Sequence, residues 1–228
     1  MSQLLLDVID EGPREVEVGW LFNAGYAGRD SDAVRHHVEE LAALGVPAPD
    51  TVPTLYPLGS LLARQDDVVQ VPHGRTSGEA EWALIVGGSP DDLLVAAACD
   101  HTDRALEVHG VAWSKQSAPD VIGRHAWRWH RVADTFDDFT LKAWVTHGHD
   151  EELISDGSAA DLLPPSYWVE KLREADLLRP GTVVLSGTIP MIEGVDQFAE
   201  GWRVELADPE GRTSRAAYRV ERLSEPWE

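Results

Sequence analysis

Residues 76–88 read TSGEAEWALIVGG. The run 82–86 is apolar and reads as a strand heading into a core, yet two glutamates, Glu79 and Glu81, precede it. Successive side chains of a strand point to opposite faces, so residues two apart share a face. Glu79 and Glu81 then point the same way, with Ala80 opposite. Neighbouring carboxylates repel, and a carboxylate entering a core loses its solvation. Water at a wet strand end is the ordinary compensation; a cation is the other. Residues 93–104, LLVAAACDHTDR, bear on the choice. A strand of small residues ends there at Asp100, and VAAAC holds no polar group to share its charge. If the two strands are neighbours, three carboxylates converge. A hard divalent cation with oxygen ligands, Mg²⁺, Mn²⁺ or Ca²⁺, is the usual remedy.

Outward from this pair, residues 3–9 and 14–22 alternate as strands, with a turn at Glu11-Gly12-Pro13 between them. Residues 31–44, SDAVRHHVEELAAL, have a helical stripe of Val34, Val38, Leu41 and Ala42. Ser31 or Asp32 is placed to cap that helix, and Gly45 and Pro47 to stop it. A proline-spaced segment runs from 47 to 57. Further strands are expected at 67–71, 80–86, 93–98, 107–113, 139–145, 182–186 and 202–206, and a second helix at 164–177. Strands dominate, with helices early and late, which predicts an α+β domain with a largely β core. The chain shows no repeat, low-complexity tract or linker. A single domain over 1–228 is expected, with strands and a helix in about 1–50 and the β core in 51–228.

The 228 residues are 43% hydrophobic, enough for a sizeable core. No apolar stretch is long enough to span a bilayer. The opening MSQLLLDVIDEG has early acids and no basic flank, unlike a secretory signal. The single cysteine, Cys99, excludes an internal disulfide and suits a reducing cytosol, so a cytoplasmic location is expected. The formal net charge is −21. Nucleic acid and anionic membranes are therefore not expected as partners, because both need clustered Lys and Arg. Only three lysines occur, Lys115, Lys142 and Lys171. An acid-rich, lysine-poor surface resembles that of proteins from salt-loving organisms, where ionic strength screens self-repulsion.

Other stretches carry candidate chemistry. Lys115, in VAWSKQSAP at 111–119, follows a strand-like run. Such a lysine usually snorkels to solvent; beside a metal it would bind a substrate carboxylate or a developing oxyanion. Residues 182–194, TVVLSGTIPMIEG, pass from a strand into Ser186-Gly187-Thr188, whose amides and hydroxyls suit an anionic group, though an ordinary strand exit has the same look. His147, His149, Asp150 and Glu151 read as a solvated hairpin turn. Trp127 and Trp129 mark a strand face, and Cys99 packing.

In this order the pieces resemble the fumarylacetoacetate hydrolase superfamily over most of the chain. Glu79 and Glu81 match its E-x-E strand, and Asp100 with His101-Thr102-Asp103-Arg104 its strand ending in aspartate. Lys115 matches its lysine. Residues 146–152, THGHDEE, stand where relatives carry Asn-Gly-Glu, and Ser186-Gly187-Thr188-Ile189-Pro190 stand where they carry Thr-Gly-Thr-Pro. ACDHTDR and WSKQ look most like a prokaryotic branch of that superfamily. Members also carry Gly-Arg-Asn-Tyr and then His-x-x-Glu on a short lid helix. Here Gly28-Arg29-Asp30, without the Asn-Tyr, precedes His37 and Glu40. Residues three apart share a helix face, so Glu40 can orient His37 and raise its basicity.

The resemblance implies a mixed β-roll with a short N-terminal lid helix, one metal site at its mouth, and a homodimer. It implies Mg²⁺ or Mn²⁺, with Ca²⁺ as a third option, held by Glu79, Glu81 and Asp100. Lys115, Arg29, Ser186, Gly187 and Thr188 would contact an anionic small-molecule substrate, and His37 with Glu40 would activate water. The implied reaction is hydrolysis of a C–C bond in an acylpyruvate-like 2-oxo or 1,3-dicarbonyl acid, through an enolate that the metal stabilises. Decarboxylation, isomerisation and dehydration share that enolate, and a non-catalytic binding protein shares the scaffold. The charge excess itself predicts a melting temperature that climbs from low to molar salt. A melting curve insensitive to salt would contradict it.

Overall fold

A computed structural model of the chain describes residues 2–43, 49 and 51–224, and the side chains of residues 33, 37 and 40–43 fall outside that description. The strands are β1 (Ser2–Val8), β2 (Gly12–Val18), β3 (Trp20–Gly25), β4 (Thr54–Leu58), β5 (Ala63–Arg64), β6 (Val68–Val71), β7 (Thr76–Val86), β8 (Leu93–Asp103), β9 (Asp120–Ile122), β10 (His125–Arg128), β11 (Thr140–His147), β12 (Asp150–Ser158), β13 (Thr182–Leu185), β14 (Gly201–Ala207) and β15 (Thr213–Arg222). The helices are α1 (Ser31–Ala43), α2 (Arg104–Glu107), α3 (Val111–Gln116), α4 (Trp129–Val132) and α5 (Pro165–Glu174). The architecture is α+β, as expected.

Two sheets hold the described residues together. The larger runs in the order β2-β1-β10-β8-β7-β13-β3-β4, with β9 joined to β8 and β5 to β9; the smaller runs β12-β11-β14-β15-β6. At the centre stands the β7–β8 hairpin, antiparallel over eleven residue pairs from Thr76↔Asp103 to Val86↔Leu93. Both strands are covered on both faces, which is why they read as near-continuous apolar runs instead of alternating ones. Alternation still assigns the faces. Ala80, Trp82 and Leu84, with Val95, Ala97 and Cys99, pack toward Leu141, Val145, Trp202 and Val204 of the smaller sheet. Ala83 and Ile85, with Leu94, Ala96 and Ala98, pack toward Leu4, Leu6, Val18, Leu21 and Ile122, inside the curl of the larger sheet itself. Glu79, Glu81 and Asp100 belong by parity to this second face, where its apolar row ends.

The structure departs from the sequence expectations in several places. The strand expected over 14–22 is two strands. Residues up to Val18 pair with β1, while Trp20 onward pairs in parallel with β13, and the Gly19 amide donates to the Gly181 carbonyl at 2.9 Å between them. Residues 107–113, expected as a strand, belong to the helical pair α2 and α3. The Asp103 carboxylate caps α2 by accepting from the Ala105 and Leu106 amides. At the start of α1 the Asp30 carboxylate accepts from the Asp32 amide at 2.9 Å. Trp127 lies buried on β10, as expected of a strand face, but Trp129 opens α4. Among the described residues no helix is long and apolar enough to cross a membrane.

Gly78 shows how tightly the hairpin is held against the smaller sheet. A Cβ there would lie 2.6 Å from the Trp202 ring and 2.7 Å from Cys99 Sγ. Gly78→Ala is expected to cost about 1–3 kcal/mol by overpacking, read as a lowered urea midpoint with unchanged slope. A midpoint equal to wild type would contradict this packing.

Candidate metal centre

The β7–β8 register determines the centre. Glu79 is the direct cross-strand partner of Asp100, and Glu81 faces Ala98, whose small side chain leaves room beside it. On its other side β8 pairs with β9, where Asp100 is directly opposite Asp120. Directly opposed side chains share a face with Cβ atoms about 4.5–5.5 Å apart. A row of acids therefore crosses three strands, with Glu81 beside it. Glu79 is 7% exposed, and Glu81, Asp100 and Asp120 are fully buried. Glu79, Glu81 and Asp100 each offer an oxygen such that all three lie within 4.8 Å of one another.

Neighbouring elements converge on these oxygens. Lys115, in the last turn of α3, is only 4% exposed; it donates from Nζ to Glu79 Oε2 at 2.8 Å and to Asp100 Oδ2. It lies in the site and does not reach out to solvent, and it sits within a helix, where the sequence suggested that it follows a strand. Arg104, at the start of α2, bonds Glu79 Oε1 at 2.9 Å and Glu107 at 2.9 Å, and its Nε donates to Ser77 at 2.6 Å. Asn23, from β3, donates to Glu81 Oε1 at 3.3 Å and Asp100 Oδ2 at 3.2 Å. The turn after β13 brings the Gly187 amide to Glu81 Oε2 at 2.8 Å. Gly187 has φ +81, and a Cβ on it would lie 2.9 Å from the Ala24 carbonyl oxygen, so only glycine lets this turn approach.

Burial sets the proton affinities, and charge modifies them. For Glu79, desolvation acts to raise the pKa, but Lys115 and Arg104 together overcome it and hold the carboxyl down to about 2. Burial pushes Glu81 well above the carboxylate range, Lys115 opposes this, and Asp100 and Glu79 add to it. Asp100 is raised by burial against the pull of Lys115. Asp120 is raised well above the ordinary value by burial and by the adjoining Asp100. Burial works to neutralise Lys115, but Asp100, Glu79 and Glu81 outweigh it and keep the ammonium charged.

The set suits a hard divalent cation. Its donors are all oxygen, and Asn23 Oδ1 is buried without a hydrogen-bond partner, while Asp120, which burial and Asp100 keep protonated, hydrogen-bonds the Asp100 carboxylate. Glu79, Glu81 and Asp100 would hold the ion, with Asn23 and the Gly187 amide orienting two of them.

The remaining expected residues are placed as follows. The Ser186 hydroxyl accepts from the Trp82 amide at 3.0 Å and donates to the Gly187 carbonyl at 2.8 Å. Thr188 is exposed, its hydroxyl 3.1 Å from the Ile189 carbonyl. Arg29 forms a bidentate pair with Asp137 at 2.7 and 2.8 Å, and its Nε donates to the Leu162 carbonyl at 3.1 Å. His37 and Glu40 lie three apart on α1, with their side chains outside the described residues. Residues 146–152 hold the β11–β12 hairpin turn, with Gly148 at φ +62. Cys99 is buried, its Sγ 3.2 Å from the Tyr218 hydroxyl. Sequence reasoning missed Asn23 and Asp120. A lone asparagine in the apolar run LFNAG and an aspartate leading VIG were the available signals.

Comparison with known proteins agrees with this fold. The chain has the fold of the fumarylacetoacetate hydrolase family, represented by yeast ynq8, a protein of that family: 18% identity over 92% of this chain and 96% of that one, TM-score 0.56. A 2-keto-3-deoxy-D-arabinonate dehydratase complexed with magnesium and 2,5-dioxopentanoate is similar at TM-score 0.60 and 13% identity, over 94% of this chain and 78% of that one. A maleylpyruvate hydrolase from Sphingobium is similar at TM-score 0.57 and 17% identity, over 90% and 72%. More particularly, the chain belongs to the family described as protein of unknown function (DUF2848), which matches residues 24–218. No curated protein sequence matches the chain.

Raised carboxyl pKa values tie stability to pH. Glu81 and Asp120 bind protons more tightly folded than unfolded. Their stabilisation is complete below the unfolded carboxylate pKa of about 4 and is lost as the pH rises through their folded values. In EDTA the melting temperature is expected to fall as the pH climbs above the carboxylate range, and Asp120→Asn to lessen that fall. An unchanged slope in the variant would contradict the assignment.

Proposed function

We propose that this protein is a divalent-metal-dependent enzyme acting on a 2-oxo acid, and that its reaction is hydrolytic cleavage of a C–C bond in an acylpyruvate-like substrate. The observation that carries the proposal is the meeting of Glu79, Glu81 and Asp100 within 4.8 Å, buried, beside Lys115. A purely structural role gives no reason to bury three acids together, since each costs desolvation that well-packed apolar side chains would not.

When bound, Mg²⁺ or Mn²⁺ (or Ca²⁺) supplies a Lewis acid for the substrate's carboxylate and adjoining carbonyl oxygen. The protein's own groups do the rest. Lys115 brings a positive charge to the oxygens on which negative charge develops. Its ammonium stays protonated because three acids surround it. Arg104 keeps Glu79 ionised and available as a ligand. Asn23 and the Gly187 amide fix the orientation of Glu81 and Asp100 before anything binds, so little reorganisation is needed. His37, oriented by Glu40 one turn along α1, takes a proton from water as that water attacks the distal carbonyl. The C–C bond then breaks, its electron pair passes toward the 2-oxo group, and the carbon is reprotonated.

A second reaction is kept open by one observation, the similar dehydratase whose complex holds magnesium and 2,5-dioxopentanoate. Dehydration would use the same acids and Lys115 but would expel hydroxide from the substrate in place of water attack. Turnover in ¹⁸O-labelled water separates the two. Hydrolysis puts label into the carboxylate product, and no label would replace the hydrolase proposal with a lyase.

Metal titration by calorimetry tests the site itself. Asn23→Ala is expected to weaken divalent-metal affinity by about 10–100-fold, and Glu81→Ala by at least as much. His37→Ala is expected to keep the affinity and lower turnover by ~10²–10⁴. Wild-type affinity in Glu81→Ala would overturn the proposal.

A further inference from the structure

Between β13 and β14 the chain runs irregularly over residues 186–200, and its first part turns back along β7. The Ser186 amide donates to the Trp82 carbonyl at 2.9 Å and the Ile189 amide to the Ala80 carbonyl at 3.4 Å. Between these two bonds the Gly187 amide reaches Glu81 Oε2 at 2.8 Å. The same segment meets β7 again at Gln197, whose Oε1 accepts from the Ser77 hydroxyl at 2.8 Å. The residues on either side pin it there. The Asp196 carbonyl accepts from His147 Nε2 at 3.1 Å, and the Arg75 guanidinium lies over the Phe198 ring, 5.4 Å from its centre.

Ser77 is fully buried and passes this contact on. A hydroxyl has one hydrogen and two lone pairs. The hydrogen goes to Gln197, which leaves a lone pair toward Arg104, whose Nε donates to it at 2.6 Å. The other nitrogens of Arg104 are committed too, Nη1 to Glu107 Oε1 at 2.9 Å and Nη2 to Glu79 Oε1 at 2.9 Å. A guanidinium is a rigid planar fork, so fixing Nε and Nη1 fixes the direction of Nη2. Glu79 is then held by Oε1, and its Oε2 is turned to the side where Lys115 and Asp100 lie. Gln197 thus heads a chain of hydrogen bonds that ends on a candidate ligand, although 120 residues separate it from Ser77.

We infer that Gln197 is a positioning residue of the metal centre, acting through Ser77 and Arg104 to set Glu79, so that the one segment carrying Gly187 and Gln197 orients two of the three acids. The inference rests on the metal-dependent reading above and adds to it a residue outside the acid cluster. What counts at position 197 is the acceptor oxygen, not the bulk of the side chain. Without that acceptor the Ser77 hydrogen turns elsewhere, and Arg104 Nε loses its fixed lone pair.

The test measures Mn²⁺ dissociation constants by calorimetry on the full chain. Gln197→Leu removes the acceptor and is expected to weaken binding about 4–10-fold, the worth of one hydrogen bond. Gln197→Glu keeps an acceptor and is expected to stay within about twofold of wild type. Ser77→Ala removes the link itself and is expected to cost about 10–100-fold. Because both residues act along one path, adding Gln197→Leu to Ser77→Ala should change the affinity by less than about twofold. A side chain that serves only the fold would not distinguish leucine from glutamate in this way. Wild-type affinity in Gln197→Leu or in Ser77→Ala, an equal loss in Gln197→Glu, or losses that multiply in the double variant would each overturn the inference and leave the metal centre standing. If the wild-type protein binds no Mn²⁺, both are overturned.

Discussion

Glu79 and Asp100 face one another across the β7–β8 ladder, buried, and like charges so placed repel with little water to screen them. The register is not free to relieve this. A slip of one residue would turn every apolar side chain of the hairpin to the wrong face of a sheet that is covered on both sides. The packing of eleven residue pairs therefore forces the two carboxylates together, and the surroundings must answer their charge. Lys115 does so between them, and Arg104 does so from the outer side of Glu79.

The same constraint explains why distant segments meet at this point. β3 supplies Asn23, the turn after β13 supplies the Gly187 amide, and β9 supplies Asp120 on the far side of Asp100. These strands are neighbours because the larger sheet places β13 and β3 beyond β7, and β9 beyond β8. Segments as far apart as residues 23 and 187 thus deliver polar groups to one end of an otherwise apolar face. A site built on strands in this way is held more rigidly than one built on loops.

Much of this could be read from the residues. TSGEAEWALIVGG and LLVAAACDHTDR specify two buried strands by composition, and strand parity alone puts Glu79 and Glu81 on one face. What parity cannot supply is register, so the direct opposition of Glu79 and Asp100 and the presence of Asp120 beside them were not legible. Lys115 reads from the sequence as a site residue that follows a strand. VHGVAWSKQ has β-branched and aromatic residues that argue for a strand, while the Asp103 cap and the packing of α2 on α3 decide for helix. Asn23 is not legible as a site residue, because it lies in an apolar run whose polar member has meaning only once β3 is known to lie near β7. Arg29 illustrates the converse. Its place before the lid helix suggested a substrate contact, but sequence gave no sign that Asp137, more than 100 residues away, engages its guanidinium.

The central claim is that the three carboxylates meet in order to share one ion. Crystals of the protein grown or soaked with manganese, and examined for anomalous scattering at the manganese edge, test it most directly. A single peak within coordination distance of Glu79, Glu81 and Asp100 is predicted. Manganese bound only elsewhere, with Lys115 still lying between Glu79 and Asp100, would contradict it.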